Sequence, residues 1–216
     1  MKPLLITPSL LDSWDWYMQN ESDTAREEFI GVIKRERSPD NEAMMHGRAF
    51  EARVRMECDP LHTEWMTQND ADDIYKTFHK EKDAEYMSCV YELAKHLLGG
   101  VWQIALSKTE TINGIEFVKY GRVDVIKYGI IDVKFSQTFE SGKYLGKAQT
   151  KMYLDLAPQA PWMQYTVCDG KVIYYGDKFL RDDVAPINQD IGNFWNWLQN
   201  DKELLFLYLN NWQSKY

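Results

Sequence analysis

Two aspartates and one lysine stand inside an apolar hairpin pattern near the middle of the chain. The segment GRVDVIKYGIIDVKFS, residues 121–136, places apolar residues on both sides of a turn at Lys127–Gly129, and Asp124, Asp132 and Lys134 interrupt this pattern. Charged side chains are rarely buried without a partner or a metal. These three residues are therefore the first candidates for chemistry.

The spacing of the three residues favours a shared site. Asp132 and Lys134 are two apart on one strand and share a face, and a paired register across the turn brings Asp124 near Asp132. Neighbouring carboxylates repel unless they are protonated or bind a cation, and Mg²⁺ takes oxygen ligands. With Lys134 to orient or deprotonate a water, or to stabilise charge on a phosphate, the set is typical of metal-assisted phosphodiester hydrolysis. The alternative is a structural ion-pair network, which apolar flanks make costly.

Helical patterns surround a central run of strand patterns that contains this hairpin. The order predicts a mixed α/β (α+β) fold, in which a central sheet is flanked by helices, and with no convincing linker it predicts one domain, 1–216. Strands are predicted across 101–136 and 162–180, with hairpin turns at Asn113–Gly114 and Asp169–Gly170. Helices are predicted after a Thr7 cap and over Glu42–Glu57, Asp73–Leu98 and 143–156, with one or two more within 188–213 and a turn at Ser38–Asn41.

The order of these residues resembles a known family of nucleases. Asp124, followed after an apolar strand by Asp132-Val133-Lys134, resembles the PD-(D/E)xK nuclease signature, with Val123 where the formal motif has proline. The resemblance implies a restriction-endonuclease-like core with a mixed sheet. A D-x-K triplet alone is a weak signal, because such triplets are frequent by chance.

Three further segments narrow the resemblance to the RecB-type and lambda-exonuclease-like branch. The helical segment Gly47–Glu51 is similar to its G-x-x-x-E element, and Gln149–Tyr153 to its Q-x-x-x-Y motif, in which both side chains share a helix face. The opening ITPSLLDSWDWYM is similar to its first helix. Without the resemblance, Glu51 could simply pair with Arg48 or Arg55, and Gln149 and Tyr153 could be ordinary helix surface.

The resemblance implies a set of roles. Glu51, Asp124, Asp132 and the carbonyl of Val133 would hold one or two Mg²⁺ or Mn²⁺ ions, and Lys134 would position the attacking water. Gln149 and Tyr153 would place the lysine or the DNA. The implied activity is a DNA exonuclease of recombination, repair or phage DNA metabolism, with DNA, and a recombination or replication protein, as partners. A ring-shaped homo-oligomer follows by analogy only.

The cysteines and the bulk composition limit the remaining classes. Some members of the branch carry an iron–sulfur cluster on one cysteine in the first helix and three near the end, whereas Cys58, Cys89 and Cys168 match neither place, so no cluster is expected. Scattered cysteines in odd number also favour a reducing compartment. The net charge of −8 argues against a passive nucleic-acid coat. The apolar run at the start is too short for a signal peptide or a membrane span, so the expected location is the cytoplasm, with no membrane partner.

Two other functions stay open at this level. An acidic net charge with modest basic patches also fits a non-catalytic binding or interaction protein built on a nuclease scaffold. A structure-specific endonuclease would use the same residues, and only that enzyme would cut circular DNA.

Overall fold

The computed structural model describes residues 2–20, 22–36, 41–60, 66–67 and 84–214. Two predictions fall partly outside these residues. Of the turn at Ser38–Asn41 only Asn41 is described, and the helix predicted from Asp73 is described from Ala84 onward.

One mixed sheet of six strands forms the centre of the described chain. The strands are β1 (Leu4–Ile6), β2 (Val101–Ile112), β3 (Ile115–Lys127), β4 (Gly129–Phe135), β5 (Trp162–Cys168) and β6 (Ile173–Leu180). Strand β3 pairs along nearly its whole length with the antiparallel β2, and its other edge pairs with β1 (parallel) and with β4 (antiparallel). Strand β5 pairs parallel with β4 and antiparallel with β6.

Helices of the described residues cover both faces of this sheet. Ser22, Asn41 and Asp201 each accept a backbone N–H from the first turn of the helix that follows, as helix N-caps do. The helices are α1 (Pro8–Asn20), α2 (Asp23–Ile33), α3 (Glu42–Cys58), α4 (Ala84–Leu97), α5 (Ala148–Leu156), α6 (Ile187–Leu198) and α7 (Lys202–Asn211).

The apolar core is divided by the sheet into two clusters. The larger cluster packs α1, α2, α5, α6 and α7 against one face, and the smaller cluster packs α3 and α4 against the other. Adjacent residues of β4 confirm the division, because Ile130 belongs to the larger cluster and Ile131 to the smaller one. A residue on α3 and a residue on α5 therefore approach the sheet from opposite sides.

The predicted mixed α/β fold with a central sheet and flanking helices is confirmed, with three local differences. Strand β1 and helix α2 were not predicted. The helix expected within 143–156 begins only at Ala148, because Gly142 and Gly146 adopt φ values of +85° and +79°, which interrupt a right-handed helix. No helix of the described residues is long and apolar enough to cross a membrane.

Candidate active site

Asp124 and Asp132 lie where β3 and β4 stop pairing. The ladder between these strands ends at Val125 opposite Ile131, so Asp124 and Asp132 are the next residues in register. Beyond that point the backbone N–H of Val133 donates to Asp124 Oδ2 at 3.0 Å, and the side chain thereby takes the place of a strand partner. The prediction that the hairpin register brings the two aspartates together agrees with this geometry.

Lys134 and Gln149 both reach Asp132 from different elements. The Nζ atom of Lys134 lies 2.7 Å from Asp132 Oδ2, and Nε2 of Gln149, in the first turn of α5, donates to Asp132 Oδ1 at 2.7 Å. Asp132 is 1% exposed, whereas about a third of the Lys134 side chain (34%) meets solvent. The carboxylate is thus fixed in the interior, while part of the Lys134 side chain remains at the surface.

Glu51 completes the acidic group from the opposite face of the sheet. It lies on α3, which Phe50 and Val54 anchor in the smaller core cluster. Its carboxylate accepts a short hydrogen bond from Nε2 of Gln103, and the same nitrogen donates to Asp124 Oδ1 at 3.2 Å. Gln103 therefore joins the acid of α3 to the acid of β3.

Tyr153 lies one helical turn after Gln149 and packs on β3. Its hydroxyl donates to the carbonyl oxygen of Arg122 at 2.7 Å. The ring occupies the space above Gly121, where a Cβ atom would stand 2.6 Å from the ring atom Cε1. Burial raises the pKa of Tyr153 to about 12, so the hydroxyl stays protonated. Tyr153 holds α5 against β3, and so holds Gln149 beside Asp132.

The electrostatics of the group follow from three carboxylates near the ammonium of Lys134 and the guanidinium of Arg55. Burial, and then the charges of Asp132 and Glu51, raise the pKa of Asp124 well above its ordinary value. Burial and the charge of Asp132 also raise the pKa of Glu51. Burial acts to lower the pKa of Lys134, but Asp132 and Asp124 outweigh it, so the pKa of Lys134 is raised and the group stays cationic. The site stores an excess of negative charge.

The donor types fit a hard divalent cation. Carboxylate and backbone carbonyl oxygens are the ligands that Mg²⁺ takes in proteins, and Oδ2 of Asp132 is buried with no hydrogen bond, only the ion pair with Lys134. Within the described residues, however, no three Asp, Glu, His or Cys side chains stand ready to share one ion. The oxygens of Glu51 and Asp124 instead meet the amide of Gln103.

The structure brings together the side chains that the sequence pointed to, and it adds Gln103, while the predicted role of the Val133 carbonyl stays a prediction. The carboxylates of Glu51, Asp124 and Asp132 converge with Lys134 and Gln149, while Tyr153 supports them from α5. Gln103 was missed, although a signal existed. The two-residue turn at Asn113–Gly114 sets the register of β2 on β3, and counting back along both strands places position 103 opposite position 124.

A cleft opens beside Gln149 and Tyr153. It has a volume of about 290 Å³, and its lining also includes Thr7, Ser9 and Arg122. Arg122 is exposed. The cleft thus meets the site at Gln149, the residue that donates to Asp132.

Comparisons with solved structures give distant similarities. No protein-family profile matches the chain, and no curated protein matches it. The crystal structure of SSO0001 is 14% identical, with a TM-score of 0.40, over 82% of this chain and 87% of that one. The crystal structure of a candidate exonuclease from Eubacterium rectale is also 14% identical, with a TM-score of 0.44, over 96% of this chain and 82% of that one. The function is therefore argued from the geometry of the site.

Proposed function

We propose that this protein is a Mg²⁺- or Mn²⁺-dependent deoxyribonuclease that hydrolyses phosphodiester bonds at DNA ends. The observation that carries the proposal is that three carboxylates lie close together: Gln103 joins Glu51 to Asp124, and Asp132 beside them pairs with Lys134. A structural ion-pair network would pair its charges, because unpaired buried charge is costly. Here three carboxylates lie near one ammonium, of Lys134, and one guanidinium, of Arg55, and this excess of like charge favours the uptake of a further cation.

The proposed cation site uses the residues that the resemblance implies. Glu51, Asp124, Asp132 and the carbonyl of Val133 would hold one or two ions. When bound, a divalent cation supplies Lewis-acid polarisation of the phosphate and lowers the pKa of a water molecule.

Lys134 has the role of a fixed positive charge in this proposal. Its raised pKa keeps it protonated, so in the metal-free protein it donates hydrogen bonds and does not accept a proton. Part of its side chain reaches the surface, although the ammonium itself is held beside the buried Asp132, so a phosphate would be drawn to it at the edge of the site. Charge that develops on the phosphate during hydrolysis is then stabilised by a group already in place.

Gln149 and Tyr153 keep the acid and the lysine in position. The amide of Gln149 fixes Asp132 Oδ1, which leaves Oδ2 for Lys134 or for a cation. Tyr153 ties α5 to the backbone of β3 through Arg122. The exposed Arg122 also lies in the cleft beside these residues, where its guanidinium is available to a phosphate of the substrate.

The wider setting belongs to the same proposal. The preference for DNA ends, the role in recombination, repair or phage DNA metabolism, and the assembly into a homo-oligomer or with a partner protein rest on the resemblance of the motifs to the RecB-type and lambda-exonuclease-like branch. The chain acts as one nuclease domain, 1–216. Cys58, Cys89 and Cys168 are free thiols. A location in the reducing cytoplasm is proposed on this basis.

A nuclease panel tests the proposal directly. Purified protein is incubated with end-labelled linear duplex, circular duplex and single-stranded DNA in Mg²⁺ or Mn²⁺. We expect loss of linear DNA and survival of circles. We expect Lys134→Ala to lower the rate by about 10²- to 10³-fold, because it removes a preorganised charge.

Lys202→Ala is the matched control for this panel. Lys202 is an exposed lysine at the start of α7, and its removal changes the net charge equally. We expect it to cut at the wild-type rate. Intact substrates in both metals, or equal rates for wild type and Lys134→Ala, would contradict the proposal, and cleavage of circles would identify an endonuclease.

A further inference from the structure

Gln103 has a backbone conformation that strands do not ordinarily contain. It lies in β2, yet its φ is +52°, in the left-handed region that residues other than glycine seldom adopt. Its neighbours keep the regular register, with Trp102 opposite Val125 and Ile104 opposite Val123. Such a conformation costs roughly 1–3 kcal/mol and persists only where the surroundings hold it.

At this point of β2 and of β3, the alternation of side chains between the two faces of the sheet is reversed. Val123 and Val125 are two apart and would share a face in a regular strand, yet Val123 packs in the larger core cluster and Val125 in the smaller one. In β2, Trp102 and Leu106 show the same reversal. The change of face falls at Gln103 and at the residue opposite it, Asp124.

The side chain of Gln103 uses this geometry to reach both acids. Its Nε2 donates to Glu51, which comes from the α3 side of the sheet, and to Asp124 Oδ1 at 3.2 Å. One amide nitrogen thus lies between two carboxylates that both have raised pKa values because they are buried near other acids. The place between two carboxylates is also where a cation is most strongly attracted.

The amide of Gln103 can interact in two ways at this position between Glu51 and Asp124. The nitrogen of a glutamine carries two donors and the oxygen carries acceptor lone pairs, and the terminal torsion exchanges them by a half turn. The donors satisfy Glu51 and Asp124 in the structure. The oxygen is a ligand type suited to hard cations or to the waters around them.

We propose that Gln103 is a positioning residue of the metal site, which bridges Glu51 and Asp124 through its amide nitrogen without metal and turns its amide oxygen toward the cation on loading. This inference rests on the proposed function, since it requires a divalent cation at Glu51, Asp124 and Asp132. It adds a residue from β2 and a reason for the unusual backbone of that strand. The conformation of Gln103 is kept because it places one reversible amide between the two acids.

Two substitutions separate the oxygen from the nitrogen. Gln103→Met keeps the length of the side chain and removes both hydrogen-bonding atoms, while Gln103→Glu keeps an oxygen and removes the donors. Mn²⁺ binding is measured by titration calorimetry without DNA, and the folded state of each variant is checked by circular dichroism. We expect the Kd of Gln103→Met to be about 10- to 100-fold weaker than that of wild type, and we expect Gln103→Glu to bind at least as tightly as wild type.

Changes in Mn²⁺ affinity in the opposite directions would refute the inference. If Gln103 only bonded the acids and competed with the cation, its removal in Gln103→Met would tighten Mn²⁺ binding. A Gln103→Met variant that binds as tightly as wild type, or a Gln103→Glu variant that binds more weakly, therefore refutes it. If Gln103→Met does not fold, Gln103→Leu, which also lacks both hydrogen-bonding atoms, is titrated in its place, because the added charge of Gln103→Glu attracts a cation by itself.

The same titration separates this inference from the proposed function. Wild-type protein that gives no Mn²⁺ heat, or heat that survives Asp132→Asn, refutes the proposed metal site, and the role of Gln103 falls with it. Heat that Asp132→Asn abolishes, together with unchanged binding by Gln103→Met, leaves the nuclease proposal standing and refutes the role of Gln103 alone.

Discussion

Two clusters of charge, each with one fully buried member, lie along β3, and they differ in how their charges balance. The balanced cluster sets two ammonium groups against two carboxylates and consists of Lys108, Glu110, Lys119 and Asp155. The site cluster consists of Glu51, Asp124, Asp132 and Lys134, with Arg55 as a second positive charge near Glu51, so its three carboxylates outnumber the cations.

In the balanced cluster each charge has a partner of opposite sign. Lys119 is fully buried, and its Nζ lies 2.6 Å from Glu110 Oε2, 2.5 Å from Asp155 Oδ2 and 3.0 Å from Asn188 Oδ1. The hydrogen bond from Lys119 is the main reason that the pKa of Glu110 falls to about 2. The folded protein thus favours the charged form of this acid, as it does for an ion pair that contributes to stability.

The site cluster has the opposite preference. Burial and the neighbouring acids raise the pKa of Asp124, so the folded protein disfavours its charged form. Buried charge alone therefore does not mark a functional site, since both clusters contain it. The difference lies in the excess of like charge, which a purely structural cluster would not keep.

The two clusters are also linked by shared elements. Lys119 and Asp124 both lie on β3, and Asp155 and Gln149 both lie on α5. The ion pair of Lys119 with Asp155 therefore fixes the helix that brings Gln149 to Asp132. The balanced cluster acts as the support of the site cluster.

Removal of the buried lysine should give the largest loss of stability. We expect Lys119→Met to lower the free energy of unfolding by about 3 kcal/mol, because it leaves Glu110 and Asp155 without their buried partner. Urea denaturation measures the change. Lys108→Met is the control, since the Lys108 side chain is 46% exposed and its loss should cost no more than about 1 kcal/mol. Equal losses for the two lysines would remove the basis for the comparison.

Substitution of Gly121, which lies on β3 between Lys119 and Asp124, should give the next largest loss of stability. In Gly121→Ala the new Cβ would stand 2.6 Å from the ring of Tyr153, so α5 must shift away from β3. We expect a loss of about 2 kcal/mol of stability, typical of overpacking, together with a lower rate of DNA hydrolysis. Both are measured on the same preparation.

Gly47→Ala is the control for that substitution. Gly47 lies inside α3, and an added Cβ would meet no atom within 4 Å. We expect it to gain about 0.5–1 kcal/mol from helix propensity. A Gly121→Ala variant as stable and active as wild type would show that Tyr153 does not hold α5 in place.

A smaller effect of opposite sign is expected from the site cluster. Asp124→Asn removes one of the like charges, while its amide oxygen still accepts the N–H of Val133. We expect the metal-free variant to be about 1 kcal/mol more stable than wild type at neutral pH, because functional sites are often kept at a cost in stability. We also expect it to lose DNA hydrolysis. Urea denaturation in the presence of a chelator measures the gain. A loss of stability instead would mean that the site cluster contributes to folding as the balanced cluster does.

Much of this arrangement could be predicted from the sequence, because it depends on local signals. The alternation of β2 to β4 and the turns at Asn113–Gly114 and Lys127–Gly129 specify the hairpins, and these bring Asp124 to Asp132. Helical spacing put Gln149 and Tyr153 on one face of α5.

The missed features depend on distant contacts. Strand β1 has three residues, and it pairs in parallel with Phe117–Lys119, far along the chain. From the sequence alone, Lys119 would be taken for an exposed strand residue. In the structure Asp155 of α5 and Asn188 of α6 contact its ammonium and bury it. Strict alternation also gives the wrong face on one side of Gln103, because a positive φ reverses the pattern there.

The smallest expected effect is a difference in pH dependence, and it compares the two clusters most directly. The folded pKa of Glu110, about 2, lies below its ordinary 4.5, so its stabilising contribution is present above pH 4.5 and is lost as the pH falls toward 2. The folded pKa of Asp124 lies above its ordinary 3.8, so its contribution is fully present below pH 3.8 and is lost as the pH rises through the folded value.

The two isosteric amides should therefore depart from wild type in opposite directions. At neutral pH Glu110→Gln should be less stable than wild type by up to about 1 kcal/mol, and the difference should shrink as the pH falls below 4.5. The gain in Asp124→Asn should instead shrink as the pH falls toward 3.8 and open again as the pH rises. Urea midpoints of the three metal-free proteins between pH 7 and pH 3 measure both trends. If the two differences changed with the same sign, the acids of the site cluster would be paired like those of the balanced cluster, and the excess charge that supports a cation site would not exist.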